Sequence, residues 1–123
     1  MLKFGWSTLK VKNIDESVRF YTEVVGLTLN RRFNAGPDSE IAFLGDGQSA
    51  TEVELIYNKN DTAVKVGEDI TWGFVVDSLD DTMAFLKEKG VAIHSGPFSP
   101  APFIRFIYIL DPNGFKLQLA EHR

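Results

Sequence analysis

Two tryptophans, a glutamate and a glutamine stand at matching places in the two halves of this chain. Trp6 opens the strand-like run "FGWSTLKV" and Trp72 lies in "DITWGFVVD". Glu54 lies in "TEVELIYN" and Gln118 in "FKLQLAE". A carboxylate can take a proton or pair with a cation. A carboxamide offers an acceptor and two donors. An indole offers a flat apolar face and one N–H, with no lone pair for a metal. Such a set suits a planar or cationic guest held against aromatic walls, with Glu54 as its charge partner. Other chemistries lack their residues. The chain has no cysteine, so it has neither thiolate nor disulfide, and its two histidines, His94 and His122, cannot assemble a His-rich metal site.

The elements that must position these groups sit in 123 residues, the length of one ordinary domain. A hydrophobic fraction of 44% suits a packed core. Thirteen basic against seventeen acidic residues leave a net charge of −4 with no basic cluster, which argues against a nucleic-acid partner. No apolar run approaches the roughly 20 residues of a spanning helix, so no membrane partner is expected. No secretory leader is visible, and a cytoplasmic location follows as the expectation.

Periodicity predicts the order of elements. Lys3–Val11 reads as a strand. "NIDESVRFYTEVVGL" reads as a helix capped by Asn13 or Asp15, with Ile14, Val18, Tyr21 and Val25 at helical spacing and Gly26 as the stop. "TLNRRFN", "SEIAFLG" and "TEVELIYN" read as strands. After a polar linker the order returns. "ITWGFVVD" is a strand and "SLDDTMAFLKEKG" a helix capped by Ser78. "VAIHSGPFSPAP" reads as a short strand and then a Pro-rich loop, with His94 solvated. "FIRFIYIL", the turn "DPNG" and "FKLQLAE" complete the chain. Trp6 aligns with Trp72 and Glu54 with Gln118, so the chain is one domain, 1–123, made of two βαβββ repeats at about 1–58 and 66–123. One such half leaves an apolar sheet face uncovered, so the halves are expected to share a core.

The motifs "STLKVKNIDESVRFYTEVVGL", "VELIYN" and "YILDPNGFKLQL" resemble the vicinal oxygen chelate superfamily, which contains glyoxalase I, bleomycin-resistance proteins, fosfomycin-resistance enzymes and extradiol dioxygenases. The resemblance spans nearly the whole chain. It implies an α+β fold, in which two βαβββ modules form an open, cupped mixed sheet around a central cavity. In metal-dependent members a divalent ion is held by His, Gln or Glu on the first and last strand of each module. Carried over, those positions are Trp6, Glu54, Trp72 and Gln118. Two of them are indoles, so the resemblance implies loss of the metal, and no cofactor is expected.

Lys10 and Asn58 fall where glyoxalase I-like members contact the glutathione part of their substrate, so they are either ligand contacts or simply an exposed strand Lys and a strand-end Asn. Phe43 and Tyr108 lie on strands that the resemblance places along the cup, where they either contact a ligand or pack in the core. Arg105, a charge inside an apolar strand, either meets an anionic group in the cavity or faces solvent. The two tryptophans either wall a pocket or fill it outright. The expected function is a small-molecule-binding protein that lacks the usual metal ligands and takes an aromatic or cationic ligand. The alternative that the resemblance implies is a glyoxalase I-like lyase or isomerase acting on a hemithioacetal or similar substrate, with Glu54 as the catalytic general base, whose acid–base contribution alone is about 10²–10⁴-fold. The expected partners are a small-molecule ligand and a second copy of the chain in a homodimer.

Overall fold

Each half starts its helix with a polar cap. In the first, the Asn13 side chain accepts the Glu16 N–H at 3.0 Å, opening α1 (Ile14–Glu23). Of the two expected caps it is thus Asn13 that serves, while Asp15 and Glu16 sit in the first turn, where the helix dipole favours them. Gly26 at φ 89° turns the chain back, and the Leu27 N–H donates to the Tyr21 carbonyl at 2.9 Å. In the second half Ser78 Oγ accepts the Asp81 N–H at 3.2 Å and opens α2 (Leu79–Glu88).

The computed structural model describes residues 1–61 and 63–123. It divides into two compact units, Met1–Val66 and Gly67–Arg123. Unit 1 holds β1 (Trp6–Lys10), α1, β2 (Thr28–Asn34), β3 (Ser39–Gly45) and β4 (Glu52–Asn58), with the sheet ordered β1-β4-β3-β2. Unit 2 holds β5 (Trp72–Val75), α2, β6 (Ser95–Ala101), β7 (Ile104–Leu110) and β8 (Lys116–His122), with the sheet ordered β5-β8-β7-β6. In each, the first strand pairs parallel to the last and the other pairings are antiparallel. The architecture is α+β with two four-stranded mixed sheets, as the βαβββ order predicts. Among the described residues no helix is long and apolar enough to cross a membrane.

Alternation along the strands gives each sheet one apolar, helix-covered face. In unit 1 that face carries Leu9, Ala42, Leu44 and Leu55, all buried, together with Ile14 and Tyr21 of α1. Arg32 on the same face bonds both Glu40 and Asp15 of α1. In unit 2 it carries Ile107, Ile109, Leu117 and Leu119 with Leu79 and Leu86 of α2. The turn "DPNG" is held by the buried Asp111, whose Oδ1 accepts the N–H groups of Asn113 and Phe115 at 2.8 Å each.

One expectation is corrected. The Pro-rich stretch after His94 is not a loop but the strand β6. It pairs with β7 at Ser95↔Tyr108, Phe98↔Phe106 and Ala101↔Ile104, with irregular register between. β6 is an edge strand, so Pro97 and Pro100 do not have to donate to a neighbour on both sides. Gly96 has φ +100°, and a Cβ there would lie 3.0 Å from the Phe106 carbonyl oxygen, so glycine is required at the bend.

Candidate functional site

The face of each sheet turned away from its helix carries the candidate groups, and in unit 1 they form a row across four strands. Arg31 registers with Phe43, Phe43 with Glu54, and Glu54 with Thr8. Thr8 Oγ1 donates to Glu54 Oε1 at 2.6 Å. Glu54 is 8% exposed and Phe43 7%. Phe43 is closed in by its neighbours. The Trp6 ring meets it edge-on at 5.8 Å, Phe33 stacks at 6.3 Å, and the Arg31 guanidinium lies over it at 4.3 Å. Arg31 is itself anchored by two bonds to Glu52, Nη2 to Oε1 at 2.9 Å and Nη1 to Oε2 at 3.2 Å. Asn30 Nδ2 adds a third bond to Glu52 at 2.9 Å. The hydrogen bond from Arg31, followed by that from Asn30, holds the Glu52 carboxyl below the usual carboxylate range. Trp6 is 56% exposed and presents the rest of its indole outward.

Chemically this face offers an aromatic surface, one half-exposed indole and one carboxylate whose first oxygen is already held. Lys10 lies further along β1 on the same face, 3.8 Å from Asp61. Asn58 is committed to the end of β4, where its Nδ2 donates to Ser39 Oγ at 2.8 Å and its Oδ1 accepts the Asn60 N–H at 2.8 Å.

The corresponding row in unit 2 reads Ser95, Tyr108, Gln118 and Gly73. Tyr108 joins Phe98 at 6.3 Å and Phe106 at 5.6 Å in an aromatic platform, and Lys116 Nζ lies 5.3 Å from the Tyr108 ring centre. Gly73 stands where Thr8 stands in unit 1. A Cβ added there would come within 3.7 Å of Gln118 Oε1.

Two expected placements change. Trp72 registers with Leu117, not Gln118, and its ring meets Phe115 at 4.9 Å on the helix-covered face. Trp6 precedes by two residues the partner of Glu54, whereas Trp72 precedes by one the partner of Gln118. The residue matching Trp6 is therefore Thr71, and the one-residue slip puts the second indole on the opposite face of its sheet. Trp6 and Trp72 are not counterparts. Arg105 also leaves the candidate set, because its Nη1 donates to Asp80 Oδ1 of α2 at 2.8 Å on the helix side. His94 is exposed, with Nδ1 3.3 Å from Ser95 Oγ.

A family model described as the glyoxalase/bleomycin resistance protein/dioxygenase superfamily matches residues 3–119. The chain belongs to that superfamily. Relatives in the superfamily include the lactoylglutathione lyase of Haemophilus influenzae, 31% identical over 94% of this chain and 89% of that protein. The lactoylglutathione lyase of Salmonella typhimurium is 29% identical over 92% and 87%. Among solved structures, the trypanothione-dependent glyoxalase I of Leishmania major superposes with a TM-score of 0.83 at 26% identity, covering 98% of this chain and 87% of that one. TnmS3, an antibiotic-binding protein from a Streptomyces species, superposes at 0.80 with 22% identity over 100% and 98%, a likeness of fold alone.

Sequence reasoning missed Thr8, Arg31 and Lys116. Thr8 was legible in principle, since it follows Trp6 by two and so shares its face once β1 is a strand. Arg31 and Lys116 read as ordinary strand charges, and nothing short of the register places either over an aromatic ring.

Proposed function

We propose that this member of the superfamily is a metal-independent binding protein whose unit 1 face takes an aromatic or cationic small molecule. The observation that carries the reading is Glu54, buried beside Phe43 and held by Thr8 at 2.6 Å, with the half-exposed Trp6 ring next to it. A cation approaching the second carboxylate oxygen gains charge pairing in a partly desolvated place, and the neighbouring rings add cation–π attraction. The residues do not fit the divalent ion of the metal-dependent members. At the unit 1 positions an indole without a lone pair stands beside a single carboxylate with one oxygen engaged. At the unit 2 positions, as the register assigns them, the donors are the neutral hydroxyl of Thr71 and the amide of Gln118. Transition ions in such proteins call for imidazole or further carboxylate, and hard ions for more oxygens than these.

Titration with benzyltrimethylammonium, followed through tryptophan fluorescence, tests the reading. Saturable quenching is expected, abolished in Trp6→Leu and weakened at least about tenfold in Glu54→Gln. No response from the wild-type protein overturns it.

The second reading, a glyoxalase I-like lyase with Glu54 as general base, is favoured by the lactoylglutathione lyase relatives. Stoichiometric nickel or zinc that survives dialysis, with chelator-sensitive hemithioacetal turnover, would establish it in place of the first. A homodimer belongs to both readings, and sedimentation at several concentrations checks it.

A further inference from the structure

We infer that unit 2 carries a binding site on the outer flank of α2, a groove lined by Met83, Ala84, Lys87, Val91 and Ile93 that takes a medium-chain alkyl carboxylate. The groove has a volume of about 430 Å³, within the range of small-molecule sites. Helical spacing and one turn build it. Leu79 and Leu86 turn α2 to its sheet, and Met83, Lys87 and Ala84 follow round one flank. Gly90, at φ +73°, then turns the chain back, and the Val91 N–H donates to the Leu86 carbonyl at 2.9 Å. Val91 and Ile93 form the other wall, before the His94 N–H joins the Tyr108 carbonyl at 2.7 Å. All of this lies on the helix side of the module and uses none of the residues of the function proposed above.

The lining selects the guest. Four of the five side chains are aliphatic or thioether, with no ring and no hydrogen-bonding group, so polar groups along a guest's body would be left unpaired there. Ile93 is 39% exposed and Ala84 is open to solvent, apolar surface that an alkyl chain covers. Lys87 adds a four-carbon stem that ends in an ammonium. That charge is unmatched. The residues three and four away along the chain are Met83, Ala84, Gly90 and Val91, none of them an acid. Among the described residues the Lys87 ammonium forms no ion pair and no hydrogen bond, whereas that of Lys89 lies over the Phe85 ring at 5.6 Å. A saturated chain ended by a carboxylate meets both conditions, with carbon along the groove and one negative charge at Lys87.

Unit 1 lacks these ingredients. Its Tyr21 carbonyl accepts the Leu27 N–H as that of Leu86 accepts Val91, which matches Ala84 with Arg19 and Lys87 with Thr22. Thr22 Oγ1 is spent on the Val18 carbonyl at 2.8 Å and the Arg19 carbonyl at 3.2 Å, and Leu27, in the place of Val91, is buried. The ammonium and the small side chain that opens the groove belong to α2 alone.

Octanoate is the probe, with butanoate and hexanoate as shorter homologues, octanol as the neutral analogue and octyltrimethylammonium as the cationic one, followed by ¹H–¹⁵N correlation spectra of the whole chain. Octanoate is expected to move the Ala84, Lys87, Val91 and Ile93 resonances in a saturable way, and each methylene from butanoate upward should tighten binding about two- to fourfold. Octanol should bind more weakly by about three- to fivefold, and octyltrimethylammonium should not saturate. Lys87→Met should weaken octanoate by the same about three- to fivefold and leave octanol unchanged. Ala84→Gln, a good helix former that puts an amide into the groove, should weaken octanoate and octanol alike. An affinity that does not rise with chain length, equal binding of octanol or of the cationic amphiphile, a Lys87→Met or Ala84→Gln protein that binds octanoate as wild type, or no saturable shift at these residues would overturn the site. Movement of the same resonances on raising the protein concentration without a probe would overturn it too, because a second copy of the chain would then be the occupant.

Discussion

The rows Arg31–Phe43–Glu54–Thr8 and Ser95–Tyr108–Gln118–Gly73 occupy the same strand positions of the same module and differ in whether their polar groups are spent. In unit 1 the edge strands close the row. Thr8 on β1 holds the carboxylate, and Arg31 on β2 covers the ring. In unit 2 the edge strands offer glycine and serine at those places, and the amide and phenol between them stay open. The central pair, aromatic beside carboxyl or carboxamide, is kept in both. The two βαβββ units thus differ most at their edge strands, where a substitution disturbs the least packing, while the helix-covered face carries buried aliphatic residues in both.

The largest expected effect tests whether the closed row is the better packed one. Phe43→Ala removes a ring that is 7% exposed and touched by Trp6, Phe33 and Arg31, and should cost about 3–5 kcal/mol in urea unfolding. Tyr108→Ala removes a half-buried ring and should cost less, about 1–2 kcal/mol. Equal losses would break the contrast. Next in size is the bend in β6. Gly96→Ala meets the Phe106 carbonyl at 3.0 Å from a backbone at φ +100°, and should cost about 1–3 kcal/mol. By register its counterpart in the regular β2 is Arg32. Arg32→Ala should stay within about 1 kcal/mol, because the pairs it breaks are solvent-facing.

How much of this was legible beforehand follows from which signals are local. Helices were, and so was the Ser78 cap, announced by its type and by the acidic turn that follows, whereas at α1 residue type left Asn13 and Asp15 both open. Strands β2, β3 and β7 were, because alternation and turn residues bound them. β6 was not, because Pro97 and Pro100 normally argue against a strand and only its place at the edge makes them tolerable. Trp72 was misplaced for a sharper reason. A strand has period 2, so a one-residue slip in aligning two repeats exchanges the faces, and identity at Trp outweighed register. Glu54 and Gln118 were matched correctly because each sits in a long alternating strand with several apolar positions to fix its phase. Arg105 sits among apolar residues of β7, but the acid it meets is on α2, too far along the chain to be paired by reading.

A smaller effect exchanges one row for the other. Thr8→Val keeps the shape and removes the hydroxyl that serves Glu54, so it should cost about 1–2 kcal/mol, and Thr8→Ser should restore most of it. The reverse graft, Gly73→Thr, adds a Cβ at ordinary contact distance from Gln118 Oε1 on a backbone without positive φ. It should stabilise by about 0.4–1 kcal/mol in urea unfolding. A Gly73→Thr protein that is less stable than wild type would mean that the openness of the second row does not come from its missing side chain.

The smallest expected effect separates the charges flanking the two rows. Glu52 and Lys116 are counterparts by register, one gripped by Arg31 and the other unpaired with any acid among the described residues. The hydrogen bonds from Arg31 hold the folded Glu52 carboxyl below its unfolded value, which for glutamate is about 4.3. A depressed carboxyl contributes stability that is fully present above the unfolded value and is lost as the pH falls through the folded one. Removing the guanidinium in Arg31→Met should therefore lower the urea midpoint at pH 7 by a small amount. The difference from wild type should narrow as the pH falls below about 4 and close as Glu52 becomes protonated in the folded protein. Added salt should shrink the pH 7 difference as well, since Arg31 is about half-exposed. Lys116→Met has no carboxyl partner to release, so its offset from wild type should stay flat across the same range. An acid-dependent offset in Lys116→Met, or a flat one in Arg31→Met, would show that the unspent charge belongs to the other row.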